Sequence, residues 1–578
     1  MRVHKGTALI VGATVLALGL AACSSSKSKG GGSSSGSGSK PSGTLVFGES
    51  TDFPENFLPL ISAGNATSTA NIEGRILDGA FRSAPDISYQ ADPDQITGSS
   101  SSMVNGQQVV DIKINPKAVW ADGQPITAAD YIFSWQDQKS SDPAQGGCDQ
   151  LLSTTGFDQI ESGTAVSDKE VKFTFLKDKP YADWQGLFAG PSGIILSKHV
   201  MDKGSPSANC DAIKAGWPVA QGIPLGAQNG PWILQASGVD VKDKVVTITP
   251  NPKYWGAQPK LARIVYDNIG SDSDTNVKAL QNNEVNMIYP QPQLDLVSNL
   301  KKLSNVTTAI NFGVDFEHLD FNTKDPLLSH PEVRQAIAYA IDRKALVTTT
   351  VGQFSDKASV LGNRLLMTNQ KGYVDNSGDY NTQNITKAKS LLQGLGATMG
   401  SDGYYSLGGK ELSFTVITTQ NNPLRDQTIQ VISQQVKAAG IKITESADPD
   451  IFAGPDKPAS LAAEGFQIAL FAWVGTPSLS SNNPIYLSPA VSGANAQNYS
   501  QGSDPVVDKY LQNLATAATS GDETAAANAA DKQLWTDMFT LPLYQKPTLL
   551  AYDNKYKGIA DNSTSAGPLW NSDTFTSS

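Results

Sequence analysis

The chain has 578 residues, 17% of them charged, with 55 Asp and Glu against 44 Lys and Arg for a formal net charge of −11 at pH 7. That acidic balance argues against a nucleic-acid surface and for a soluble exterior. Beyond the first residues the only histidines are His199, His318 and His330, none spaced as a metal pair, and outside the Ser/Gly-rich residues 24–43 the chain carries no HExxH, Walker, GxGxxG or GxSxG motif, so neither an enzyme nor a metal or other cofactor is expected.

Arg2 and Lys5 precede an apolar run from Thr7 to Leu20, the length of a signal-peptide core and too short to span a bilayer. The run closes on Leu20-Ala21-Ala22-Cys23, which resembles the lipobox of bacterial lipoproteins. Residues 1–22 are therefore read as a cleaved signal and Cys23 as a lipidated membrane anchor. Loss of Arg2 and Lys5 takes the formal charge from −11 to −13. Residues 23–43 hold Ser, Gly, Lys and one Pro after the cysteine, a flexible tether with a coil span of roughly 25 Å. No later stretch reaches the apolar length of a membrane helix, which leaves an ectodomain long enough for two or three domains. Cys148 and Cys210 are the remaining cysteines, and in an exported chain they are expected to pair.

Strand-like and helix-like segments alternate, which argues for a mixed α/β fold. Thr44 to Gly48 reads as a first strand. Gln108 to Ile114 alternates apolar and polar residues with period two, the pattern of a half-buried strand, and Thr127-Ala128-Ala129-Asp130 has capping-box spacing ahead of a helix through Tyr131, Phe133 and Trp135. Ser329, with Glu332 three residues on and Pro331 in the first turn, is expected to open a helix whose buried stripe is Val333, Ile337 and Ile341. Arg334, Gln335, Asp342 and Arg343 are expected on its solvated face. Ser413 to Thr418, Pro423 to Ala439 and Ile441 to Thr444 follow as strand, helix and strand. Phe466 to Val474 is an almost wholly apolar strand that ends in Gly475-Thr476-Pro477.

The stretch from Val109 to Asp130, with Trp120, Asp122-Gly123 and Pro125-Ile126-Thr127-Ala128-Ala129-Asp130, resembles the signature of family 5 extracellular solute-binding proteins. Three further blocks occur in the family's order. They are Gly230-Pro231-Trp232 with Asn251 to Trp255, then Ala279-Leu280 with Asn283 to Met287, then Phe321-Asn322-Thr323 with Pro331 to Arg343.

The resemblance implies a periplasmic-binding-protein-like, two-lobe (Venus flytrap) α/β fold with an extra domain inserted in the first lobe. Lobe I is assigned to residues 44–85, 225–312 and 541–578, the inserted domain to 86–224, and lobe II to 313–540. Crossings between the lobes are placed near Gly313 to Asn322 and Phe539 to Gln545. It also implies a monomer that captures a small solute, expected to be a short peptide, and delivers it to the permease of an ABC importer. In peptide-binding members the strand that here ends at Ala472, Trp473, Val474, Gly475 and Thr476 pairs with ligand main chain. Such members carry an aspartate for the peptide amine where this chain has Thr476. Either Glu49 or Asp52, beside Phe53 after the first strand, supplies that charge, or the ligand has no free amine. An oligosaccharide or metal chelate as solute, and a lipoprotein hydrolase or sensor as function, stay open at this point.

Overall fold

The computed structural model describes residues 41–578 other than 191–192, 454, 474, 476 and 493–496. The signal run, Cys23, Val474 and Thr476 thus lie outside the described residues.

Two long antiparallel strands organise the molecule. Val306–Phe321 and Thr540–Asp553 pair from Val306 against Asp553 to Asp320 against Thr540. At about 3.3 Å per residue the longer one spans roughly 50 Å, enough to run through both lobes. At one end the second crossing strand carries Met287–Ile288. The sheet then continues through Thr44–Glu49, Arg263–Asn268, Val245–Pro250 and Trp232–Ile233. At the other end the first crossing strand carries Ile468–Trp473, followed by Ser413–Thr419 and Lys442–Asp448. The two lobes are therefore halves of one eleven-stranded sheet.

Between them the ladder breaks. Phe312 faces Pro547 and the next register pair is Phe316 with Gln545, so Gly313, Val314 and Asp315 bulge opposite Lys546. Pro547 has no amide hydrogen to give, and Gly313 passes so close to the chain that an added Cβ would lie 1.6 Å from the Ser563 carbonyl oxygen. This bulge is where the strands can bend.

The additional domain is a four-stranded antiparallel sheet in the order Ile96–Val104, Gln107–Ile114, Glu170–Phe175 and Ile160–Ser167. Gln107–Ile114 alternates in burial as its sequence period demands. Asn105-Gly106, both at positive φ, turns the first hairpin. The helix Ala128–Gln138 opens with the expected capping box, Asp130 accepting from the Thr127 amide at 2.8 Å, and buries Tyr131, Phe133 and Trp135 against this sheet and its neighbours. Cys148 and Cys210 form a disulfide with Cα atoms 5.0 Å apart at the edge of the first lobe's core, which is built on Leu45, Phe47, Trp232 and Tyr266. The second lobe's core includes Val416, Ile432, Ile468 and Leu470 together with Leu541 and Leu543, which the family resemblance assigns to lobe I.

One helix departs from its expected form. Ser329 gives its hydroxyl to the Pro326 carbonyl, and Pro331–Ala340 starts after His330 without a side-chain cap. It stops at Ala340, and Asp342 instead caps a second helix, Arg343–Thr349, by accepting from the Ala345 amide. Arg334 and Arg343 are buried, not solvated. Arg334 donates to the carbonyls of Asp537 and Met538, where the long helix Ser520–Asp537 ends with its acceptors unpaired, and to Leu328 and Ser329. Arg343 donates to the Leu361 and Pro542 carbonyls beneath the Trp535 ring. Burial lowers both guanidinium pKa values to about 10.

Candidate functional site

The strand Ile468–Trp473 lies against the first crossing strand, Phe316 opposite Trp473 through Phe321 opposite Ile468. On its other edge Ser413–Thr419 registers with Ile468 and Ala469 alone among the described residues, and the Thr418 hydroxyl donates to the Leu470 carbonyl at 3.0 Å, so the main chain from Phe471 to Trp473 diverges from its neighbour. Ile468 to Phe471 are buried, whereas Ala472 and Trp473 are half-buried, as is Gly475. A strand that leaves the sheet in this way has main-chain donors and acceptors to offer a ligand.

The face beside that edge is aromatic with polar inclusions. His318 packs edge-on against Phe471 at 4.4 Å and lies parallel to Trp473 at 6.1 Å, and Trp473 in turn lies parallel to Tyr499 at 5.8 Å. His318 Nε2 stands 3.3 Å from Asp320 Oδ1, not aligned for a hydrogen bond. Trp473 Nε1, Tyr486 Oη and Asn483 Oδ1 also find no hydrogen-bond partner among the described residues. Such atoms are costly inside an apolar shell, and a polar solute group or ordered water relieves that cost.

A cavity of about 460 Å³ opens at the crossing strands. Asn311 and Gln545 enter it from the strands, Pro85 from a hairpin near the additional domain, Thr368 and Asn369 from a second-lobe loop, and Asp561 from the C-terminal segment. The side chains hold one another. Thr368 donates to Gln545 Oε1 at 2.7 Å, Gln545 donates to Asn369 Oδ1 at 2.9 Å, and Asn311 donates to Asp561 Oδ2 at 2.7 Å. The volume suits a small ligand, and the lining mixes amides and a carboxylate with aromatic and proline surface. Nearby, Asp315 in the bulge accepts from the Gly475 amide, and burial pushes its carboxyl up to about 6 although Lys546 works the other way.

The additional domain and the second lobe meet along one lip. Ser480 donates to Tyr181 Oη at 3.1 Å and reaches Asp183 Oδ2 at 3.2 Å, Ser478 donates to the same carboxylate, and Gln159 donates to the Ala515 carbonyl at 2.9 Å. Glu523, on the helix Ser520–Asp537, faces Asp183, and burial together with that carboxylate pushes it up to about 10. Hydrogen bonds thus join the additional domain to the second lobe along this lip.

The residues expected at the site divide. Ala472 and Trp473 end the cleft strand, and Gly475 lies beyond it. Val474, Thr476 and Cys23 fall outside the described residues. Glu49 is buried, its carboxylate accepting from the Ser50 and Thr51 amides, the Thr51 hydroxyl and Asn71, so its acceptors are already engaged. Asp52 is a surface residue paired with Lys244 at 2.6 Å, and Phe53 packs on the first lobe's core. Cys148 and Cys210 lie near Asp149 as a potential ligand group, but their sulfurs are bonded to each other, so no metal site results there. Sequence reasoning missed Tyr181, Asp183, Ser478, Ser480 and Glu523, which converge from positions about 300 residues apart. No local pattern marks them.

Two lobes on crossing strands, an additional domain and a cleft between them define the class of two-lobe solute-binding proteins. Residues 98–498 match the family of bacterial extracellular solute-binding proteins, family 5 (middle), and the chain belongs to that family. It is 30% identical over 509 residues to the oligopeptide-binding protein OppA of Mycobacterium tuberculosis, covering 87% of this chain and 80% of the relative. Among solved structures it resembles the periplasmic EDTA-binding protein EppA, with a TM-score of 0.82, 24% identity and coverage of 93% of this chain and 97% of that one. It also resembles AppA of Bacillus subtilis in complex with a nonapeptide, with a TM-score of 0.71, 18% identity and coverage of 93% and 100%. The chain is a solute-binding protein of the ABC-importer type and not an enzyme.

Proposed function

We propose that this protein captures short peptides outside the membrane, encloses them between its lobes and hands them to an ABC permease, while a lipid on Cys23 keeps it at the membrane as a monomer. In this reading the bulge at Gly313–Asp315 divides lobe I from lobe II, and the four-stranded domain is an insertion in lobe I. The observation that carries the peptide reading is the main-chain edge at Phe471–Trp473, which diverges from its neighbouring strand beside an aromatic wall. An extended peptide can add there as a strand, so that affinity comes from main chain and sequence tolerance from wet side-chain pockets. The oligopeptide-binding relative supports the same choice.

Thr476 favours a second reading. With no aspartate at that position, and with Glu49 and Asp52 engaged elsewhere, a free amine has no counter-charge among the expected residues. A non-peptide solute such as a chelate, on the scaffold shared with the EDTA-binding protein, needs none. Native mass spectrometry of the ectodomain from Gly43 onward, followed by denaturing release, separates the two. A ladder of short peptides supports main-chain capture, and a single non-peptide species overturns it in favour of the second reading.

A further inference from the structure

The hairpin of Phe81–Ser83 and Tyr89–Ala91 ends in a tight tip. The Ile87 amide donates to the Ala84 carbonyl and the Ala84 amide to the Ser88 carbonyl, with Pro85-Asp86 as the central pair. A tip closed in this way puts its next residue in the left-handed region, which suits glycine or asparagine. Here that residue is Ile87, at φ 62°. Left-handed backbone crowds any side chain, and a β-branched one most.

Ile87 is also 8% exposed, unusual burial for a large apolar side chain at a hairpin tip. It packs with Val314 and Phe316, on and just beyond the bulge of the first crossing strand, and with Leu361 and Met367 of the second lobe. Trp473 and Tyr373 border the same cluster. The loop that bears Leu361 is tied to the second lobe through the Leu543 carbonyl. The hairpin is held instead from the first lobe's side, through Asn562 on the Ser83 carbonyl and through Phe81 in the core of the additional domain.

We infer that Ile87 is a closure clasp, a side chain carried on the first-lobe side that docks into an apolar socket beside Trp473 and draws the lobes together over the cleft. The backbone cost is set by the turn's own hydrogen bonds and persists whether the lobes are open or closed. The socket contacts exist only while the lobes meet. An isoleucine in a glycine's conformation therefore weakens the hairpin slightly and strengthens the closed state, a bias that raises apparent affinity by enlarging the binding-competent population. The inference rests on the lobes acting as a hinged pair and does not depend on which solute they hold.

The test replaces Ile87 with Gly in the full chain and follows melting temperature and hydrogen–deuterium exchange without ligand. Ile87→Gly should leave the melting temperature unchanged or higher. It should speed exchange of the segments around Val314–Phe316, Leu361–Met367 and Ser478–Ser480 by about tenfold, as expected for one lost aliphatic contact. Met367→Ala, which empties the socket without touching the strained turn, should speed the same segments. Unchanged exchange there in both variants overturns the clasp, as does faster exchange spread equally into the distant core of Ile429–Val436 with a lowered melting temperature, the behaviour of an ordinary core residue. Native mass spectrometry finding no peptide leaves the clasp intact, and unchanged exchange leaves the peptide reading intact.

Discussion

Trp473 stands directly opposite Phe316, the residue at which the first crossing strand resumes pairing after its bulge. The aromatic wall of the cleft is therefore bolted to the hinge by main-chain register, and a change in the angle between the lobes moves the rest of the site relative to Trp473.

Trp473 is half-buried, so its truncation costs less fold stability than a core tryptophan would, while a central aromatic anchor carries much of a ligand's affinity. Trp473→Ala should weaken binding of whatever solute co-purifies by about 30-fold or more and lower the melting temperature by only a few degrees. Titration calorimetry and a thermal melt measure the two. The reverse pattern would make Trp473 a core residue and remove it from the site.

Closure should depend on pH through Glu523. The closed chain binds its proton more tightly than the open or unfolded chain, because burial and Asp183 raise its pKa to about 10. The stabilisation is complete below the ordinary glutamate range and is lost as pH rises toward 10. Tyr181, Asp183, Ser478 and Ser480 surround the same lip. Glu523→Gln should flatten the pH dependence of the protection factor at Ser478–Ser480 between pH 5 and 9, leaving it close to the acid value once the intrinsic exchange rate is divided out. A variant as pH-sensitive as the parent would show that another group titrates.

Arg364 and Asp531 form a fully buried ion pair at 3.0 Å, with Arg364 also donating to the Thr540 hydroxyl and carbonyl under the Trp535 ring. Asp531→Ala leaves the guanidinium unpaired and should cost about 3–5 kcal/mol. Joint replacement, Arg364→Met with Asp531→Leu, should recover most of that loss. Denaturant midpoints of the parent, the single variant and the double variant give the comparison.

Removing the disulfide with Cys148→Ala and Cys210→Ala should cost about 4 kcal/mol if the closed loop acts by restricting the unfolded chain. Thiol titration of the unfolded, unreduced parent should detect neither cysteine. A reactive pair would mean that the bond does not form.

Cys23→Ser should abolish lipid mass and move the protein from the membrane fraction to the soluble one. Retention in membranes without lipid would point to a different anchor.

Local rules made several elements legible in the sequence. The period-two strand Gln107–Ile114, the capping box at Thr127 and Asp130, and the strand, helix and strand from Ser413 onward each follow from side-chain alternation or end chemistry within a few residues. The four ordered blocks carried the family because each is a contiguous stretch. The helix after Pro331 was misread because its arginines looked solvated by periodicity, and only the end of a helix some 200 residues away gave them acceptors.

By itself, then, the sequence determined the α/β class and the cysteine pair, written in short-range pattern or in simple counting, while the two lobes with an added domain followed from its resemblance to a known family. Tertiary structure alone decided that Glu49 is engaged by its own loop, that Asp183 meets Glu523 across the lip, and that Ile87 reaches Trp473's socket. The last two bring together side chains hundreds of residues apart, through packing that leaves no periodic trace along the chain.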